Sequence, residues 1–80
     1  MKILKFYTPT CMSCRVLSKS LDKLDNVEII PVDATEDLQK VDEFNICTTP
    51  TLIFLNEDNK EVDRIEGMTT LNKIEEILNK

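Results

Sequence analysis

Lys2-Ile3-Leu4-Lys5-Phe6-Tyr7-Thr8-Pro9-Thr10-Cys11-Met12-Ser13-Cys14 is the stretch that decides the fold: an apolar-rich run, a Thr-Pro turn, then two thiols separated by two residues. The run reads as a strand over Lys2 to Tyr7, and Leu17, Leu21 and Leu24 then recur at helical spacing until Asp25-Asn26 ends the pattern. Cys11 and Cys14 therefore stand in the first turn of a predicted helix, where side chains three apart are neighbours. That spacing suits the roughly 4.4 to 6.8 Å Cα separation of a disulfide. The free N–H groups and positive dipole end of a helix N-terminus also favour a thiolate, lowering a thiol pKa from about 8.5. The residues thus describe a redox dithiol, with Cys11 as nucleophile and Cys14 as resolving thiol.

Working outward, Val27 to Val32 is β-branched and apolar, as a buried strand requires. Thr35 is the expected N-cap of a short second helix, with Glu36 and Asp37 in its first turn and Leu38 and Val41 facing inward. Thr51 to Leu55 is a further apolar strand, Asn56 to Lys60 a polar turn of hairpin length, and Glu61 to Ile65 an edge strand. Thr69 or Thr70 caps a last helix whose Leu71, Ile74, Ile77 and Leu78 form one apolar stripe. The fold class is α/β in the order β-α-β-α-β-β-α. A right-handed crossover makes the first two strands parallel, and the hairpin adds antiparallel ones. A four-stranded mixed sheet with helices on both faces follows, with the cysteines at the C-terminal end of the first strand, where open α/β sheets place their chemistry.

The 80 residues imply a single domain over 1–80 with a small core. Three cysteines do not suit a disulfide framework, which uses even numbers in oxidising compartments. A closed zinc site lacks ligands too: histidine is absent and only Cys47 remains beyond the pair, so no metal is expected except through a cluster shared by two chains. Met1-Lys2 leads straight into Ile3-Leu4 without an apolar run long enough for a signal peptide or membrane span, so a cytoplasmic location and no membrane partner are expected. The net charge of −5 is uneven: residues 1–23 carry +4 and residues 24–80 carry −9. Either this is a solvated acidic surface, or the basic side surrounds the cysteines and selects acidic partners. No basic stripe with interleaved aromatics supports nucleic-acid binding.

Cys11-x-x-Cys14 after a strand, Thr49-Pro50-Thr51 before the third strand and Ile65-Glu66-Gly67 before the last helix are three signals that, in this order, resemble the thioredoxin superfamily in its minimal, glutaredoxin-sized form. The resemblance implies a cis Pro50 facing the cysteine pair. It also implies that the Thr49 backbone pairs with an extended substrate segment, and that Thr10, Met12, Ser13 and Gly67 line the substrate surface. The sequence departs from thioredoxins at Thr10, where they usually carry Trp, and at Met12-Ser13, where they usually carry Gly-Pro. Lys5 stands where they carry a buried Asp, and is expected to run its stem along the sheet with its amine in water. Size points to glutaredoxin, but Gly67-Met68-Thr69-Thr70 lacks the Gly-Gly and acidic pair that bind glutathione.

The resemblance implies a thiol-disulfide oxidoreductase reducing protein disulfides, monomeric and without a bound cofactor. Its electrons would come from a flavin-containing thioredoxin reductase, a disulfide reductase, or, as a glutaredoxin, from glutathione. A redox-sensing binding module and a two-chain metal or cluster carrier are the other readings. Cys47, three residues before Pro50, is either a half-buried small hydrophobe or an exposed regulatory thiol. Phe6 and Tyr7 read as core.

Overall fold

Why six residues of apolar-rich chain can start a sheet here is seen in their partners. In a computed structural model, which describes residues 1–25 and 27–79, β1 (Lys2–Tyr7) is flanked on both sides, giving the strand order β2-β1-β3-β4. It pairs in parallel with β2 (Glu28–Asp33), from Lys2 opposite Glu28 to Tyr7 opposite Asp33, and antiparallel with β3 (Thr51–Leu55). β4 (Glu61–Glu66) closes the other edge antiparallel to β3. Between them come α1 (Met12–Leu21), α2 (Leu38–Glu43) and α3 (Leu71–Leu78), so the expected β-α-β-α-β-β-α order holds.

Alternation on the two central strands sorts the core into two layers. Ile3, Leu52 and Phe54 face α1 and α3, meeting Leu17, Leu21, Ile74 and Ile77. Leu4, Phe6, Ile53 and Leu55 face the other way with Val32, and Val41, Phe44 and Ile46 of α2 and its exit cover them. The Phe6 and Phe44 rings meet edge to face at 6.0 Å. β3 is buried along its whole length, as the apolar run Thr51 to Leu55 demands of a central strand.

Several expected boundaries shift. β2 begins at Glu28 rather than Val27 and runs through Asp33, because each of the six β1 residues has a parallel partner. Val27 packs on the core from just outside the strand. Pro31 fits because β2 is an edge, where a missing donor leaves no ladder bond broken. β4 reaches Glu66, which pairs with Thr51, and a bulge near Phe54/Leu55 opposes Leu55 to Glu61 and Phe54 to Asp63. α1 stops at Leu21 with Asp22 as C-cap, so Leu24 lies beyond the helix yet still packs on the core. Asn26, expected to help end it, lies outside the described residues.

The cap of α2 is Asp37, not Thr35: the Asp37 carboxylate accepts from the Lys40 N–H at 3.2 Å, while Thr35 bonds back to the Asp33 carboxylate at 2.6 Å. This start turns Leu38 outward, 63% exposed, and leaves Val41 and Phe44 to pack. Thr70 caps α3 as expected.

Candidate functional site

The end of β1 delivers the chain to the site. The Cys11 N–H donates to the Thr8 carbonyl at 3.1 Å, closing the Thr8-Pro9-Thr10 turn, and Cys11 then takes an extended conformation (φ −84°, ψ 108°) as the N-cap of α1. Its sulfur accepts the Cys14 N–H at 3.2 Å, doing what a Ser or Asp oxygen does at other helix starts. Cys11 and Cys14 are joined as a disulfide, with Cα atoms 5.3 Å apart. The two are unequal: Cys14 is buried at 3% exposure, whereas Cys11 is partly open to solvent.

Around them, Thr10 and Ser13 are exposed and Met12 is 69% exposed, with Val16 one turn on also in solvent. The Thr49-Pro50 peptide is cis, with Pro50 buried and Thr49 half-buried. Because Phe6 pairs with Thr51, Pro50 comes opposite Tyr7, at the same sheet end as the cysteines. The Thr51 hydroxyl donates to the Thr48 carbonyl at 2.6 Å and fixes this turn. Neither the N–H nor the C=O of Thr49 has a hydrogen-bond partner among the described residues.

Gly67 joins the group through its N–H, which donates to the Pro50 carbonyl at 2.8 Å. Its φ of +86° is the reason for glycine there. A Cβ would meet nothing within 4 Å among the described residues, so the turn alone, and not a close approach of a neighbour, calls for glycine.

Two hollows flank the Thr8–Cys11 loop. One, of about 200 Å³, is lined by Lys5, Tyr7, Thr8, Pro9, Cys14, Arg15 and Ser18. The other, of about 260 Å³, is lined by Thr8, Ala34, Val41, Ile46, Cys47, Thr48 and Thr49. Two expectations are corrected here. Lys5 does not hold its amine in open water: partly buried, its Nζ donates to the Ser18 hydroxyl at 2.6 Å and lies 5.6 Å from the centre of the Tyr7 ring. Tyr7 is not core but a half-exposed wall of that hollow, while Phe6 is buried as expected.

The sequence reading passed over Ser18 and Thr8. The signal for Ser18 was available, since it is four residues after Cys14 on the stripe of α1 that faces the Ile3-Lys5-Tyr7 side of β1. Cys47 is exposed and free, its thiol 3.6 Å from the Asn45 carbonyl. Arg15, Lys19 and Lys23 form an exposed basic row leading away from the cysteines, and none is in an ion pair with another described residue. No group of three or more Cys, Asp or Glu converges as a metal site, and no helix is long and apolar enough to cross a membrane, among the described residues.

The thioredoxin family model matches residues 1–80. The chain belongs to the thioredoxin family. It is 28% identical over 78 residues to the SPbeta prophage-derived thioredoxin-like protein YosR of Bacillus subtilis, covering 98% of this chain and 95% of that one. Among solved structures, thioredoxin 1 of Thermosipho africanus superposes with a TM-score of 0.80 at 26% identity, covering 100% of both chains. Fasciola hepatica thioredoxin gives 0.86 at 26%, covering 98% of this chain and 77% of that one. With a bonded Cys11-x-x-Cys14 pair, this member of the family is a thiol-disulfide oxidoreductase.

Proposed function

We propose that this thioredoxin works in the cytoplasm as a monomeric reductant of protein disulfides, with Cys11 as attacking thiol and Cys14 as resolving thiol. The observation that carries the assignment is the asymmetry of the pair. Cys11 is partly open to solvent and takes the Cys14 N–H, a donor aimed at its sulfur, whereas Cys14 is buried. A donor at the sulfur stabilises a thiolate more than a thiol. The Cys11 thiolate attacks one sulfur of a substrate disulfide and releases the other as thiolate. Cys14, deprotonated, then attacks Cys11, forming the intramolecular bond and freeing the second substrate thiol. Two electrons pass to the substrate and the pair becomes the disulfide seen here.

The N–H and C=O of Thr49, without partners among the described residues, suit an extended substrate segment laid beside the cis Pro50, with Thr10, Met12 and Ser13 on one side and Gly67 on the other. The basic row of Arg15, Lys19 and Lys23 favours substrates with acidic flanks. Electrons return from a flavin-containing thioredoxin reductase rather than from glutathione, for which the 67–70 segment lacks the binding pattern.

Insulin reduction driven by a thioredoxin reductase and NADPH tests this reading. Activity should vanish in Cys11→Ser, and equal activity in that variant would remove Cys11 from its role. Equilibration with glutathione mixtures tests the donor: a potential near about −270 mV without a lasting glutathione adduct is expected, whereas one near about −200 mV with glutathionylated Cys11 would make glutathione the donor.

A further inference from the structure

We propose that Lys5 is a positioning residue for the resolving step, its ammonium, anchored on Ser18, holding the Cys14 sulfur ready as a thiolate. The inference rests on the reading of Cys14 as resolving thiol and adds the group that prepares it.

The placement follows from two periodicities. Alternation along β1 turns Lys5 to the α1 side with Ile3 and Tyr7, and Cys14 and Ser18 share the sheet-facing stripe of α1 as an i, i+4 pair. Lys5 Nζ donates to the Ser18 hydroxyl at 2.6 Å. Cβ atoms four apart on a helix are about 5–6 Å from one another, so the ammonium is bonded to the residue one helical turn on from Cys14. Both residues line the same hollow of about 200 Å³. Its charged and titratable lining is Lys5 and Tyr7 from β1 and Cys14 and Arg15 from α1, with no carboxylate among the described residues that line it. Arg15 is the more exposed cation and is tied to the Pro9 carbonyl at 3.3 Å, so Lys5 is the cation turned to the interior.

The resolving step needs Cys14 as a thiolate, and burial alone opposes that charge. A cation facing the same hollow favours it. The Cys14 proton leaves to solvent. The thiolate attacks the Cys11 sulfur of the mixed disulfide, the Cys11–Cys14 bond forms, and the Cys11–substrate bond breaks. The substrate sulfur departs with the electron pair and is protonated by solvent. Lys5 keeps its protons throughout and acts by charge.

The test follows Cys14 without any substrate. In a Cys11→Ser, Cys47→Ser background only Cys14 carries a thiol. Thiolate ultraviolet absorbance against pH gives its titration midpoint, with circular dichroism reporting the fold. Lys5→Met should raise the midpoint by about one unit, a tenfold loss of thiolate at neutral pH, and Lys5→Arg should keep it near the parent's. Equal midpoints in the parent and Lys5→Met overturn the proposal. So does an equal rise in Lys5→Met and Lys5→Arg, which assigns the change to packing. If Lys5→Met does not fold, Ser18→Ala decides: a raised midpoint sustains the proposal and an unchanged one overturns it. A chain whose Cys14 titrates as expected but reduces no disulfide would fail only the proposed function.

Discussion

Gly67 and Pro50 are joined by a backbone hydrogen bond of 2.8 Å, from the Gly67 N–H to the Pro50 carbonyl, which ties the end of β4 to the cis proline turn. Gly67 makes this bond at φ +86°, with open space where a side chain would begin. Gly67→Ala should therefore cost the backbone term alone, about 1–2 kcal/mol, read as a lower urea midpoint at unchanged slope. A loss within error of zero would show that the turn relaxes freely.

Leu17 reaches the centre of the α1/α3 layer and is fully buried among Ile3, Leu52 and Phe54. Leu17→Ala should destabilise by about 2–5 kcal/mol, a large share of the ~5–15 kcal/mol that holds a small domain folded. Thermal denaturation should show it as a fall in Tm of at least about 8 °C. A smaller fall would mean that the neighbours collapse into the cavity.

Helix caps offer a paired test. Asp37→Ala removes the acceptor at the start of α2 and should cost about 1 kcal/mol, whereas Thr35→Ala leaves that cap intact and should cost less. Equal losses in chemical denaturation would count against the assignment of Asp37 as the cap.

That contrast shows where the sequence stops being legible. Strand and helix order were readable because apolar runs such as Thr51 to Leu55 and stripes such as Ile74 and Ile77 have periods that local chemistry sets. Two acceptors close together, Thr35 and Asp37, are both good caps, and only packing of Val41 and Phe44 against the sheet chooses between them and sends Leu38 outward. The cysteine pair and Pro50 stood out because few residues share their chemistry. Lys5 was misplaced for the opposite reason. A lysine reads as solvent-seeking, and its partner Ser18, thirteen residues away, becomes one only once strand and helix are laid together.

Glu61 and Arg64 form a two-point ion pair, Nε to Oε2 at 2.6 Å and a second nitrogen to Oε1 at 2.7 Å. The Arg64 hydrogen bonds, opposed by partial burial and helped by its charge, hold the Glu61 carboxyl below the usual range. A carboxyl that binds its proton less readily when folded adds stability above its unfolded pKa, about 4.3, and loses it as pH falls through the lower folded value. The pair is surface-exposed, so Glu61→Gln should cost about 0.5 kcal/mol at neutral pH. The difference from the parent should close as pH falls through the lowered folded value, and a gap that persists once the carboxyl is protonated would assign the loss to something other than charge.

Cys14→Ser should leave attack by Cys11 intact and stop release. The variant is expected to accumulate covalent adducts with protein substrates, visible as mass shifts that dithiothreitol removes. Full turnover in Cys14→Ser would mean that an external thiol or Cys47 resolves the intermediate, and Cys47→Ser added to it would separate the two.

The outer strands bear on a risk that every open sheet carries. β2 lacks a donor at Pro31, and β4 bulges against β3 and places Glu61, Arg64 and Glu66 along its length. Such edges resist pairing with a stray chain. Both flanks of the sheet are thereby guarded against adding a strand from another unfolded chain, which keeps the protein from templating aggregation.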